Sequence, residues 1–303
     1  MFEEKISLSK YSSFKIGGPA RYFLEAKNVE EIVMAMNKWR RLLMPKILIL
    51  GGGTNILFSD EGFNGLVIKI QNSKIKIQND NSKFKIIKAE AGAPLSKLVE
   101  MTADIGLSGL EWAAGLPGTL GGAICGNAGA FGGEIKNVVK EIISLDISKS
   151  PPQLIKRGNK ECDFDYRSSV FNNKKSEIVI EAILIFKKGE KKFIREIIEK
   201  NINYRQERHP LEYPSLGSTF KNFPAAQINQ SGEVQPLKAA HLISEAGLKG
   251  VSCGGAMISP KHPNFIVNVL NASASDVKNL IELSKNKVYN QFKIKLEEEI
   301  CVI

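Results

Sequence analysis

Gly115-Leu116-Pro117-Gly118-Thr119-Leu120-Gly121-Gly122-Ala123, continuing through Gly126-Asn127-Ala128-Gly129-Ala130-Phe131-Gly132-Gly133, crowds small residues far beyond what a turn needs. Backbone without side-chain bulk can be approached closely, and glycine also admits left-handed conformations. Such a stretch suits a flat, extended ligand laid along it; the plain alternative is a glycine-rich loop packed against another element. Upstream, Ile49-Leu50-Gly51-Gly52-Gly53-Thr54-Asn55 leads an apolar strand into glycines. It is not a Rossmann turn, because G-x-G-x-x-G requires glycine where Ile56 stands, and loop and strand follow it instead of a helix. No G-x-x-x-x-G-K followed by Ser or Thr occurs either, which excludes a Walker loop. What remains is a tight loop whose backbone N–H groups can face a diphosphate, or a bare turn between two strands.

Working outward, Asn28 precedes an amphipathic run, Val29–Leu43, with Ile32, Met36, Trp39 and Leu43 on one face, which predicts an Asn-capped helix. Strands are expected at Lys46–Leu50, Leu66–Ile70, 84–90, 141–147 and 178–187. Helices are expected over Pro94–Ile105, over 192–207, and over about 275–292 after a Ser273-x-x-Asp276 capping box. The last segment, Lys295–Ile303, returns to strand character. The class is mixed α and β, with the sharpest change near His209-Pro210.

The 303 residues allow two or three domains of roughly 100–200 residues each. No apolar run approaches the roughly 20 residues that cross a bilayer, and the start, MFEEKISLSK, is unlike a secretory signal. A cytoplasmic protein without a membrane partner is expected. The four cysteines are scattered, and none of the three histidines stands at metal-ligand spacing from one, so neither a disulfide framework nor a metal is expected. The net charge of +10 raises nucleic acid as a partner, but the basic residues are dispersed and no nucleic-acid signature is visible. A polyanionic small substrate or cofactor accounts for the charge equally well.

In sequence order, these segments resemble the UDP-N-acetylenolpyruvoylglucosamine reductases, the MurB family. Ser13-Phe14-Lys15-Ile16-Gly17-Gly18-Pro19-Ala20 is similar to the family's opening motif, and the two glycine segments to its flavin loops. Phe164-Asp165-Tyr166-Arg167-Ser168 matches an F-x-Y-R-x-S motif. Leu211–Ser215 leads into Gly217-Ser218-x-Phe220-Lys221-Asn222, the serine motif. Ala246–Gly250, Gly254-Gly255-Ala256 and Phe265–Asn268 follow, and Leu296-Glu297-Glu298-Glu299-Ile300 resembles a terminal L-E-P-E-V pattern. Phe223 and Glu298 stand where the family carries proline, with Pro224 one place after Phe223. The short span between Arg167 and Ser218 resembles the family's shorter, second type.

The resemblance implies an α+β fold: a two-part FAD-binding region of the vanillyl-alcohol-oxidase-like (PCMH-type) class plus a C-terminal α+β substrate domain. The corresponding boundaries are 1–70, 71–208 and 209–294, with the terminal strand 295–303 able to return to the second part. It implies non-covalent FAD, NADPH as co-substrate, a UDP-sugar enolpyruvyl ether as substrate, and a monomer. Gly51, Gly52, Gly53, Thr54, Asn55, Pro117, Gly118, Thr119, Gly121, Gly122, Asn127 and Gly129 are the expected cofactor-binding residues. Arg167 is expected to hold the charge that develops on the substrate carboxylate, with Glu299 beside it. Ser218 matches the proton donor: a serine hydroxyl is a poor acid, but the carbon it would protonate is a very strong base. Tyr166, Asn222, Lys249 and His262 are the expected substrate-binding residues, with His209 and His241 left structural. The competing readings are a flavin oxidase or dehydrogenase acting on an alcohol or sugar, and a basic nucleotide- or RNA-binding protein.

Overall fold

In the computed structural model, residues 2–41, 46–78, 84–174, 176–223, 226–228 and 234–303 are described. They form two compact units. The first takes residues 1–5, 21–52 and 64–204, and the second takes 6–20, 53–63 and 205–303. The chain passes into the second for good between Tyr204 and Arg205, inside the helix Lys191–Arg208.

Two sheets build the first unit. One orders its strands Glu3–Ser7, Pro19–Ala26, Phe63–Ile70 and Ile47–Leu50, although the outer ends of the first three belong to the second unit. Its last pair is parallel, with Ile47 opposite Leu66 and Leu50 opposite Lys69. The helix between these strands, Val29–Arg41, starts where expected: Asn28 Oδ1 accepts from Glu31 N at 2.9 Å, and Glu31 Oε2 accepts from Lys27 N at 2.8 Å. Ile32, Met36 and Trp39 are buried on its inner face; Leu43 lies outside the described residues.

The other sheet runs Gln153–Gly158, Val139–Asp146, Glu177–Lys188, Phe84–Glu90 and Ile75–Gln78, every neighbour antiparallel, with Leu107–Ser108 against Glu177–Lys188. Ala182, Leu184 and Phe186 alternate toward a common core that Ile142 joins, and the register shift between Ile143 and Ser144 brings Leu145 into the same core. The helix Leu95–Asp104 starts after Pro94, whose missing N–H costs nothing at a helix entry. Arg157 and Glu177 reach across Val139–Asp146 to join the two strands that flank it with two hydrogen bonds, Nε to Oε2 at 2.9 Å and Nη2 to Oε1 at 2.6 Å.

The second unit is an antiparallel sheet, Ser215–Ser218, Phe265–Asn268, Ala256–Ile258 and Ser252–Cys253. The helices Ala239–Glu245 and Ala274–Phe292 close it over a core of Leu216, Phe220, Ile258, Ile266, Val277 and Ile281. The capping box forms as read: Ser273 Oγ accepts from Asp276 N at 3.0 Å, and Asp276 Oδ2 from Ser273 N at 2.9 Å. The chain's final strand, Cys301–Val302, lies parallel to Ile56–Leu57 within this unit.

Candidate active site

In the first unit the two glycine segments meet. A Cβ at Gly52 would lie 2.8 Å from Gly118 Cα, and one at Gly51 would lie 2.6 Å from Thr119 Oγ1. Lys69 Nζ donates to Gly51 O at 3.3 Å, and burial lowers its pKa against the raising effect of Glu25. The second segment folds into the short helix Leu120–Cys125, with Thr119 as its N-cap, which the sequence reading did not foresee. Gly121 packs on the neighbouring strand end, its N–H donating to Ala91 O at 2.8 Å; Pro117 and Gly122 are exposed. No methyl fits where the two loops pack on each other, and Gly51, Gly52, Gly118 and Thr119, half-buried there, leave bare backbone along which a flat cofactor could lie.

Asn127 serves differently. It is fully buried, with φ +40°, and both ends of its amide are committed to the protein. Nδ2 donates to Asp165 O at 2.9 Å and to Glu134 Oε2 at 3.2 Å, and Oδ1 accepts from Lys136 N at 3.3 Å. It thereby joins two structures. One is the hairpin of Gly129–Ala130 and Gly133–Glu134. The other is the tight turn Asp165–Ser168, closed by reciprocal backbone bonds of 3.1 Å with Tyr166 and Arg167 at its apex. Arg167 has φ +53°, uncommon for a residue with a Cβ. Its Nη2 donates to Gly129 O at 2.8 Å, and its guanidinium carbon sits 5.2 Å from the centre of the exposed Tyr166 ring.

In the second unit the serine motif and the terminal acids pair. Register jumps from Ser215 opposite Val267 to Ser218 opposite Phe265, a bulge absorbed at Gly217 with φ +79°. Past Ser218, Glu299 N donates to Thr219 O at 2.8 Å, Phe220 bridges Glu298, and Lys221 N donates to Glu297 O at 2.9 Å. Ser218 and Glu299 are both half-buried. Of the three acids, Glu297 faces Lys221 at 3.6 Å and Glu298 binds Lys285 at 2.6 Å. Asn55, from the first glycine loop, donates through Nδ2 to Glu299 O at 3.0 Å and accepts Cys301 N at 2.9 Å. Gly53 and Thr54 precede it in this unit, and a Cβ at Gly53 (φ +64°) would collide with Tyr11 O.

The remaining expected residues are dispersed over the second unit. Asn222 Oδ1 accepts Ala239 N at 3.1 Å, at the start of the helix Ala239–Glu245. Lys249 is exposed between the left-handed Gly247 and Gly250. His262 packs edge-on to His209 and to Phe265, with ring centres 5.4 and 4.8 Å apart. Burial lowers the pKa of His262, reinforced by Lys238. His209 is lowered to about 4 by burial, then by the charges of His262, Arg205 and Lys261. Phe223 uses the N–H that proline lacks, donating to Leu237 O at 3.0 Å, and Pro224 lies outside the described residues. Sequence reasoning missed Asn264, buried at 2% exposure beside the serine motif. Its signal was a lone amide within the apolar entry Pro263–Val267.

Residues 209–303 match the family model described as UDP-N-acetylenolpyruvoylglucosamine reductase, C-terminal domain, and residues 20–149 match one described as FAD binding domain. The UDP-N-acetylenolpyruvoylglucosamine reductase of Prochlorococcus marinus (strain NATL2A) is 38% identical over 299 residues, 98% of this chain and 96% of the relative. The chain belongs to the MurB reductase family. The protein of the same name from Lachnoclostridium phytofermentans is 39% identical over 305 residues, 98% of this chain and 91% of the relative. The crystal structure of the Thermus caldophilus MurB superposes with a TM-score of 0.76 at 30% identity, covering 100% of this chain and 99% of that one. The α+β fold with an FAD-binding part is therefore that of the MurB reductases. Among the described residues, no helix is long and apolar enough to cross a membrane, and no group of three or more His, Cys, Asp or Glu is placed to hold a metal ion.

Proposed function

We propose that this chain catalyses the NADPH-dependent reduction of UDP-N-acetylglucosamine enolpyruvate to UDP-N-acetylmuramate, as a cytoplasmic monomer. Membership of the reductase family over nearly the whole length supports the reaction. The observation that carries the reading to particular residues is the backbone pairing of Thr219 and Phe220 with Glu299 and Glu298, which brings the strand ending in Ser218 alongside the segment that carries Glu299 in one unit.

Non-covalent FAD, when bound, carries hydride from NADPH to the enolpyruvyl group. Gly51, Gly52, Gly118 and Thr119 are the residues that would hold it. Hydride arriving at the terminal vinyl carbon pushes the electron pair of the double bond toward the adjacent carbon and its carboxylate. Arg167 meets that charge with a guanidinium already fixed in place by Gly129 O. Ser218 gives its hydroxyl proton to the carbanionic carbon and regains one from solvent. Glu299 orients the carboxylate or shares a proton with it. Lys249, Asn222 and His262 are assigned to the sugar nucleotide, Lys249 as an exposed point charge toward phosphate.

The test follows NADPH absorbance on purified, FAD-loaded protein with and without UDP-N-acetylglucosamine enolpyruvate. Oxidation that depends on the sugar nucleotide is the expected result. Oxidation that ignores it and tracks dissolved oxygen would replace this reading with an oxidase.

A further inference from the structure

Resting on that reading, we infer that Asn264 is a positioning residue for proton delivery by Ser218. At Ser218 the serine strand stops following its partner: Ser218 still opposes Phe265, but Thr219 and Phe220 turn to pair with the terminal acids. A strand leaving its sheet exposes backbone groups that must find other partners, and here they are buried, Phe220 at 1% exposure. Glu299 N donates to Thr219 O, and Asn264, next to Phe265 in the chain, supplies the partners of the other three. Its carbonyl O accepts Thr219 N at 2.7 Å, its Oδ1 accepts Phe220 N at 2.9 Å, and its Nδ2 donates to Phe220 O at 2.8 Å. The carboxamide thus acts as an extra peptide unit spliced into the sheet where the ladder ends.

The consequence falls on Ser218, which sits between two fixed points. One is its register partner Phe265, and the other is the pair Thr219–Phe220, clamped by Asn264 on one side and by Glu299 and Glu298 on the other. The same clamp sets the strand against which the Glu299 backbone lies. A single-bonded hydroxyl rotor on a backbone free to shift by about 1 Å would lose roughly 10²-fold in rate. The single Asn264 carboxamide thus holds both backbone groups of Phe220 at once. Aspartate at this position has the same shape, yet an ionised carboxylate can accept from Phe220 N and cannot donate to Phe220 O.

The experiment compares the FAD-loaded wild-type chain with Asn264→Asp and Asn264→Ala. Measured are flavin bleaching by NADPH alone, kcat and KM for the enolpyruvyl substrate, the solvent deuterium isotope effect on kcat, and amide exchange over residues 217–222. Both variants should bleach at the wild-type rate while kcat falls about 10²-fold with KM little changed, as for a residue acting through geometry. The isotope effect should rise in both as proton delivery becomes limiting, and Phe220 N–H should exchange faster in Asn264→Ala, which alone loses its acceptor. Loss of bleaching in parallel with kcat in the well-folded Asp variant would overturn the proposal in favour of a purely structural role. Unchanged kcat and isotope effect despite a deprotected Phe220 amide would also overturn it. Wild-type protein inactive on the substrate is a different failure: it removes the reaction itself, and this proposal with it.

Discussion

In the first unit Arg167 stands at the apex of a four-residue turn and takes the left-handed conformation itself, with φ +53°. In the second unit Ser218 ends a strand, and the left-handed residue is its neighbour Gly217, at φ +79°. Both places depend on a buried asparagine whose amide is spent on backbone and neighbouring side chains, Asn127 for the arginine turn and Asn264 for the serine strand. The difference lies in where the conformational cost is held. A non-glycine residue at positive φ costs on the order of 1–3 kcal/mol and persists only when its surroundings over-determine it. Arg167 has such surroundings: reciprocal backbone bonds below it, Asn127 behind the turn, and Gly129 O on its guanidinium. A long side chain can tolerate that treatment because its charged end is anchored separately. A serine has one rotor and no reach, so the strain is moved to a glycine, where it is nearly free.

Replacing the two side chains proposed to act on the substrate should show the largest effects. Ser218→Ala is expected to leave flavin reduction by NADPH intact while turnover of the enolpyruvyl substrate falls about 10²–10⁴-fold. Arg167→Lys keeps the charge and loses the planar fork and the bond to Gly129 O, so a fall of about 10²–10³-fold in kcat is expected. Stopped-flow separation of the two half-reactions checks both. Normal turnover in Ser218→Ala would remove the proton-donor role.

The two glycines beside these residues sharpen the comparison at a smaller scale. A Cβ at Gly129 would lie 2.8 Å from Gly133 O and from Glu134 Cγ, and 3.3 Å from Arg167 Nη1. Gly129→Ala must therefore open the hairpin, costing about 1–3 kcal/mol, and it displaces the carbonyl that holds Arg167. At Gly217 a Cβ would meet nothing within 4 Å, so Gly217→Ala carries only the left-handed penalty, about 1–2 kcal/mol. Urea midpoints should then fall in both variants. The ratio of lost kcat to lost stability should be larger for Gly129→Ala, and equal ratios would show that the hairpin does not set the arginine.

What the sequence made legible follows from how local each signal is. Asn28 and Ser273 cap their helices because the capping bonds span three residues, and the patterned strands form where alternation pointed. The close backbone approach of the glycine loops was legible from their composition, whereas the element each packs on was not. The Leu120–Cys125 helix was not, since its residues carry no amphipathic period and it forms only where Leu120 and Gly121 dock on Ala93 and Ala91. The clamps were equally hidden. Asn127 sat inside an expected cofactor loop, yet its amide works on Asp165 and Glu134, and the pairing of Phe220 with Glu298 joins segments far apart in the chain. Long-range register is set by tertiary packing, and one sequence states it only through motif order.

The gentlest contrast between the units is in their response to acid. All three histidines, His209, His241 and His262, lie in the second unit, and both tryptophans, Trp39 and Trp112, lie in the first. His209 titrates at about 4 when folded against an ordinary 6.5, chiefly because burial disfavours the imidazolium, with His262, Arg205 and Lys261 adding to it. Between those pH values the unfolded chain binds more protons than the folded one, so stability is lost as pH falls from about 6.5 to about 4 and is complete above that window. His262, also lowered, acts in the same direction. In the first unit Glu177 is held below its ordinary 4.5 by the Arg157 hydrogen bonds, so its contribution is present above 4.5 and is lost only at more acid pH. Amide exchange over residues 205–303, corrected for its intrinsic pH dependence, should therefore accelerate while tryptophan fluorescence is still native. His209→Phe keeps a ring against Phe265, now 4.9 Å away, and removes the charge change, so the exchange of the second unit should become less sensitive to pH. A common acid onset for both signals, or an unchanged slope in His209→Phe, would mean that the imidazole pair does not set the second unit's response.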